Sequence, residues 1–112
     1  MRKYKLVVFT TPIAGSEEEF NDWYQNVHLR DVVAVPGFTS AQRFRLAKSM
    51  SAEEPLPYLA IYDVETDDIE GVIAGMKSRV GTEAMVISDA MNRKASAAIF
   101  EEFGPLVAAK HC

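Results

Sequence analysis

Little in this chain of 112 residues is suited to metal or thiol chemistry: it has one cysteine and two histidines. The cysteine is Cys112, so no internal disulfide is expected, and neither a paired-cysteine nor an H-E-x-x-H spacing assembles a zinc site. The six glycines form no loop leading from a strand into a helix, so nucleotide and flavin chemistry are not indicated either. Apolar runs such as Leu6 to Phe9 fall far short of the ~20 residues of a membrane span. With no charged-then-apolar leader in view, the expected location is the cytoplasm. Basic residues are outnumbered 12 to 16, giving a net charge of −4. That is the wrong sign for counterion release on phosphates, so neither nucleic acid nor an anionic membrane is an expected partner. What remains, at 48% hydrophobic and 25% charged residues, is the composition of one globular domain spanning residues 1–112.

Lys3 to Thr11, centred on Leu6-Val7-Val8-Phe9, predicts a buried strand stopped by Pro12. Ser16 followed by Glu19 has capping-box spacing, and Glu17, Glu18 and Glu19 load the first turn with the charge the helix dipole favours. The helix they open is predicted to run to about Val33 or Ala34, because Pro36 disfavours helical geometry at Val35 and Pro36-Gly37 signals a turn. Phe38 to Ala47 alternates as a strand with one wetter face, Lys48 to Pro57 is a polar loop, and Tyr58 to Glu65 completes an antiparallel hairpin. Asp67 or Asp68 caps a second helix whose Ile69, Val72, Ile73, Met76 and Val80 share a face. Gly81 to Asn92 fits no single pattern: Glu83 to Ser88 reads as a further helical turn, Asp89 to Arg93 as a loop. Ala95 to Phe103, ahead of Gly104-Pro105, reads as the last strand. The order is βαββαβ, so the expected class is α+β, ferredoxin-like, a four-stranded antiparallel sheet with two helices on one face.

Two helices cover one face of such a sheet, yet the strands carry apolar residues at both parities: Leu6 and Val8 against Val7 and Phe9, Tyr58, Tyr62 and Val64 against Leu59 and Ile61. The uncovered face would be an apolar patch, and a homodimer packing two sheets into one barrel is the simplest way to bury it.

At about 100° per residue, Phe20, Trp23, Tyr24, Val27, His28 and Asp31 fall on one stripe of the first helix. Most of it is ordinary core, but His28 and Asp31 each need a partner or a cavity there. Three residues apart, the two can be neighbours, and the carboxylate would orient the imidazole as a general acid or base. The alternative is structural: His28 bonds a backbone carbonyl and Asp31 pairs with a strand arginine such as Arg43. Arg43 and Arg45 share a strand face, where a guanidinium suits a carboxylate or enolate as well as a structural ion pair. Tyr4, Tyr58 and Tyr62 bring hydroxyls that serve either a cavity or packing. His111 and Cys112 form a terminal pair able to take up a stray metal, although a frayed tail is the expectation.

The segment Phe20-Asn21-Asp22-Trp23-Tyr24-Gln25-Asn26-Val27-His28-Leu29, with Asp31 and Val35-Pro36-Gly37-Phe38 after it, resembles the dimeric α+β barrel superfamily, close to its EthD-like branch. The Arg43-Phe44 strand and Tyr58 to Val64 extend the resemblance over nearly the whole chain. It departs at Arg30, where the branch often has proline. The resemblance implies a homodimer with a pocket between sheet and helices. His28 would line it, and Phe9, Trp23 and Tyr24 would be its walls. Activities in the superfamily include cofactor-free quinone-forming monooxygenases, polyketide cyclases, lactone isomerases and haem-dependent enzymes. The ligand histidine of the haem branches comes later in a longer chain, so no cofactor and no metal are expected. The resulting expectation is a cytoplasmic homodimer binding a small apolar aromatic or carbonyl compound. His28 and Asp31 would act as acid/base pair, with Phe9, Trp23, Tyr24, Arg43 and Tyr62 around the ligand. The alternative is a non-catalytic carrier or stress-associated accessory dimer with a structural His28.

Overall fold

Residues 1–111 are described by the computed structural model; Cys112, and with it the terminal His111–Cys112 pair, lies outside them. The strand formers of the first segment make β1, Arg2–Thr10. Then α1, Glu17–Trp23, a π-helical turn, Tyr24–His28, and α2, Leu29–Val33, follow without a break. Pro36 and Gly37 end this rod and lead into β2, Phe38–Arg45, which pairs with β3, Tyr58–Thr66. The second helix is α3, Ile69–Arg79, and the last strand is β4, Ser96–Glu101.

The strands form one sheet in the order β2-β3-β1-β4, every pairing antiparallel. Register sets the faces: Leu6 lies opposite Tyr62, Val8 opposite Ala60, and Ala60 opposite Arg43. One face therefore presents Tyr4, Leu6, Val8, Tyr58, Ala60, Tyr62 and Val64, with Ala41 and Arg43 from β2. Both helical layers pack there. Phe20, Trp23, Tyr24, Leu29 and Val32 join Leu6, Tyr58 and Tyr62, while Val72 of α3 joins Tyr4 and Val64. This is the ferredoxin-like α+β fold with its helices on one face, as the element order predicts. A bulge between Phe38 and Ser40 puts an extra residue into β2, so Phe38 sits opposite Val64 on the helix side, where simple alternation would put it with Ser40 and Phe44.

The other face carries Val7, Phe9, Leu59, Ile61, Phe44 and Phe100 with no layer over it, Phe44 and Phe100 being 40% and 60% exposed. Ion pairs of Lys3 with Glu65 and Lys5 with Asp63 fringe it. Phe9 thus corrects an expectation: its parity in β1 is opposite to that of Leu6 and Val8, so it faces away from the helices and is no wall of a pocket beneath them.

Three local readings also change. Ser16 occupies the N-cap but its hydroxyl makes no capping hydrogen bond, so the predicted capping box is not closed. Asp68 does cap α3, accepting from the Gly71 amide at 3.0 Å. The 81–93 segment is not helical: its neighbour Val80 bridges to Met85, and Met91 within it bridges to Pro12, while Met85 and Ala90 are buried in the main core. Val80, taken as the last residue of the apolar helix face, falls beyond α3 and is 50% exposed.

Gly37 is held at φ +103, and a Cβ added there would lie 2.6 Å from Cγ2 of Val72, the residue joining α3 to the sheet. Gly37→Ala is therefore expected to cost about 2 to 4 kcal/mol in urea unfolding, backbone strain and overpacking together. Gly15→Ala, at φ +85 with open space around the new methyl, should lose only the strain part, about 1 kcal/mol.

Candidate functional site: an imidazole and a guanidinium packed on Tyr24

The first helical rod does not keep one period. At Tyr24–His28 the backbone widens, and the Leu29 amide donates to the Tyr24 carbonyl five residues back. One residue is thereby added to the turn, and the buried stripe beyond it steps forward by one. Leu29 and Val32 are buried where a regular helix would place His28 and Asp31, and Val27 is 43% exposed. The same widening brings residues five apart into register. The His28 ring stacks on Trp23, centroids 4.6 Å apart at 26°, and meets Tyr24 edge-on at 4.8 Å and 84°.

The hydrogen bond anticipated between His28 and Asp31 is not made. Nδ1 of His28 is buried and has no hydrogen-bond partner, because the extra residue carries Asp31 round to a half-exposed flank. A buried, unpaired polar nitrogen costs roughly 1–3 kcal/mol. Burial first, and the Arg43 charge second, push the imidazole down from 6.5 to about 4. His28 is accordingly neutral at neutral pH, with one ring nitrogen protonated and the other free to accept.

Arg43 also packs on Tyr24. Its guanidinium carbon sits 4.6 Å from the Tyr24 ring centroid, 5.3 Å from Tyr58 and 5.6 Å from Phe20. One terminal nitrogen donates to Asn21 Oδ1 at 2.8 Å and the other to the Asn21 carbonyl at 3.5 Å. Asn21 takes the place of the acidic partner considered from the sequence. Its amide also donates to the Tyr58 hydroxyl at 3.1 Å, and that hydroxyl donates to Glu17. In the interior, the Tyr24 and Tyr62 hydroxyls are 3.1 Å apart. Burial raises the pKa of both phenols, so each stays protonated, and burial lowers that of Arg43. Trp23 donates its indole N–H to the Val86 carbonyl at 3.1 Å, tying the 81–93 segment to the rod.

Among the residues singled out from the sequence, the fold brings Trp23, Tyr24, His28, Arg43 and Tyr62 into one cluster and leaves Phe9 and Asp31 outside it. Asn21 and Glu17 were missed. Their signal was spacing: Glu17, Asn21 and Tyr24 stand at i, i+4 and i+7, one helical row along the edge of the core stripe.

A cleft of about 220 Å³ opens beside this cluster, lined by Asn21, Arg43, Phe44, Arg45 and Tyr58. A wider depression lined by Gly15, Glu17, Glu18, Asn21, Arg45 and Tyr58 adjoins it. His28 lines neither this cleft nor the adjoining depression. Among the described residues no group of three or more His, Cys, Asp or Glu side chains is placed to hold a metal ion. No helix is long and apolar enough to cross a membrane.

Solved structures share the fold at low identity. An ethyl tert-butyl ether D (EthD) family protein from Bacillus halodurans is 14% identical over 92% of this chain and 100% of its own, with a TM-score of 0.56. The heme-degrader MhuD from Mycobacterium tuberculosis is 18% identical over 93% and 99%, with a TM-score of 0.62. A dimeric ferredoxin-like protein of unknown function from Thermobifida fusca is 10% identical over 90% and 92%, at 0.61. The likeness to EthD-type and other ferredoxin-like α+β proteins is thus one of fold. Among curated proteins none matches the chain in sequence. The family described as "Domain of unknown function (DUF4286)" matches residues 7–71, from β1 through the π turn, His28 and Arg43 to the start of α3, and the chain belongs to that family.

Proposed function

We propose that this protein is a small-molecule-binding α+β barrel acting as a homodimer, and that it performs acid/base chemistry through His28 on an apolar aromatic or carbonyl compound without a bound cofactor. Cyclisation, isomerisation, elimination and oxygenation are the reaction types within reach of one neutral imidazole. The reading rests on one observation, the buried and unpartnered Nδ1 of His28 at a π turn. Single π turns inside helices are frequent at functional sites, and an orphaned buried nitrogen gains most from a ligand that supplies its missing hydrogen bond. Asp31 has no part in this reading beyond a surface charge, because it does not reach the ring. The uncovered sheet face with Val7, Phe9, Leu59 and Ile61 supports the homodimer, which would close two sheets into a barrel. The EthD-family, monooxygenase and heme-degrading proteins that share the fold support a small-molecule ligand by analogy.

A second reading, a non-catalytic carrier with a structural His28, is favoured by the stacking of His28 on Trp23. One experiment separates the two. The protein and its His28→Ala variant are screened with phenols, polyketide-like ketones and unsaturated lactones, following binding by NMR and turnover by product analysis. The first reading expects His28→Ala to cost at least about tenfold in turnover or affinity. Intact turnover and binding in the variant, with only a lower melting temperature, would overturn it in favour of the second.

A further inference from the structure

We infer that the cleft between α1 and β2 is a carboxylate site, and that the protein takes an aromatic or enolic carboxylate whose acid group is held by Arg43. The inference rests on the small-molecule reading above and names the ligand's chemical class.

Arg43 carries a charge with no acidic partner among the described residues. Arg43 is half-buried against three aromatic rings, yet neither it nor Arg45 has a carboxylate within 4.0 Å among the described residues; the basic groups so paired are the N-terminus, Arg2, Lys3 and Lys5. A structural arginine placed against a hydrophobic face is ordinarily matched by an acid, because desolvating an unpaired cation is costly. Here the nearest protein acceptor is the neutral amide oxygen of Asn21. Of the five guanidinium N–H donors, two are used by Asn21, and the other three have no protein acceptor among the described residues.

Arg43 also lines an opening. The cleft of about 220 Å³ has Arg43, Arg45, Asn21, Tyr58 and Phe44 as its lining and no acidic side chain among them. Arg43 and Arg45 share a strand face and both line this opening, and the fork of a guanidinium suits a carboxylate. Tyr58 is the aromatic lining residue on the Arg43 side of the sheet, the Phe44 side chain lying on the opposite face, and it suits a ligand with one planar ring. Glu17 and Glu18 line only the adjoining depression, and Glu17 is engaged by the Tyr58 hydroxyl. They set the limit of the site: a second negative charge on the ligand would meet them, so monocarboxylates are preferred over dianions.

The test uses the full-length protein and the isosteric pair benzoate and benzamide, titrated by NMR, with inorganic phosphate as competitor. Benzoate is expected to bind at least about tenfold more tightly than benzamide, with a preference that shrinks on raising salt. Arg43→Gln should abolish the preference. Because Arg43 also packs on Tyr24, Arg45→Gln serves as the variant that leaves the core alone, and it should weaken benzoate about threefold while leaving benzamide unchanged. Equal binding of acid and amide, an unchanged preference in both variants, or phosphate competing as well as benzoate would each overturn the inference. An equal-binding outcome alongside a His28-dependent ligand leaves the proposed function standing. Benzoate held by Arg43 with no His28-dependent ligand in the panel does the reverse.

Discussion

Phe20→Ala is expected to lower stability by about 4 kcal/mol and the melting temperature by roughly 20 °C, the largest effect of any single truncation in this chain. Among the described residues Phe20 is the least exposed large side chain, at 0%, and its ring centroid lies near three others: Tyr24 at 5.6 Å, Tyr58 at 5.5 Å and Trp23 at 6.3 Å. It also lies under the Arg43 guanidinium. Removing it opens a void between α1 and the sheet that surrounding aromatics, each held by a hydrogen bond at its far end, are poorly placed to fill. Tyr24 is tied to Tyr62, Tyr58 to Asn21, and Trp23 to Val86. Phe20→Leu keeps most of the volume and should cost about 1.5 kcal/mol. Urea denaturation of the three proteins checks this, and a loss under 1.5 kcal/mol for the alanine variant would mean that the rod is not anchored where the packing indicates.

Acid should destabilise the protein through His28 before the carboxylates dominate. The imidazole titrates at about 4 in the folded chain and near 6.5 when unfolded. Between those values the unfolded state binds the proton and the folded state does not, so stability rises with pH across this window. The contribution is fully present above about pH 6.5, declines as the pH falls, and is gone below about 4. The gap between the two values corresponds to at most about 3.4 kcal/mol. His28→Gln removes the titration while keeping a polar side chain of similar reach. Unfolding free energies measured from pH 4 to 7.5 should therefore climb less steeply in the variant. Parallel curves, or a ring that titrates near 6.5 by NMR in the folded protein, would show the imidazole to be solvated.

The two results bear on function differently. Stability lost with Phe20 reports on the frame that holds Tyr24 against His28 and Arg43, whereas the His28 titration reports on the dryness of the ring that the proposed chemistry requires. A base this weak is not matched to proton abstraction from an unactivated carbon at neutral pH. An acidic substrate proton, such as that of a phenol or an enolisable β-carbonyl, suits it better.

Sequence periodicity carried the architecture. Strand formers, the turn at Pro36-Gly37 and the Asp68 cap fall where the chain folds, because each depends on neighbours within a few residues. The resemblance at Phe20 to Leu29 led to the fold that the known structures share. Of the cluster, Trp23, Tyr24, His28, Arg43 and Tyr62 were legible as inward-facing candidates. What the amino-acid order could not convey was phase. A stripe drawn at constant pitch misplaced Val27 and Asp31, since the π turn is a choice made by packing: one extra residue lets Leu29 and Val32 reach the core and leaves His28 against Trp23. Likewise, only strand register could turn Phe9 away from the helices. Only the tertiary arrangement could bring Asn21, on a helix, to Arg43, on an edge strand 22 positions later. Local composition determined which elements form; the contacts between elements decided which polar atoms were left without a partner, because burial is a property of the assembled layers and of no single segment.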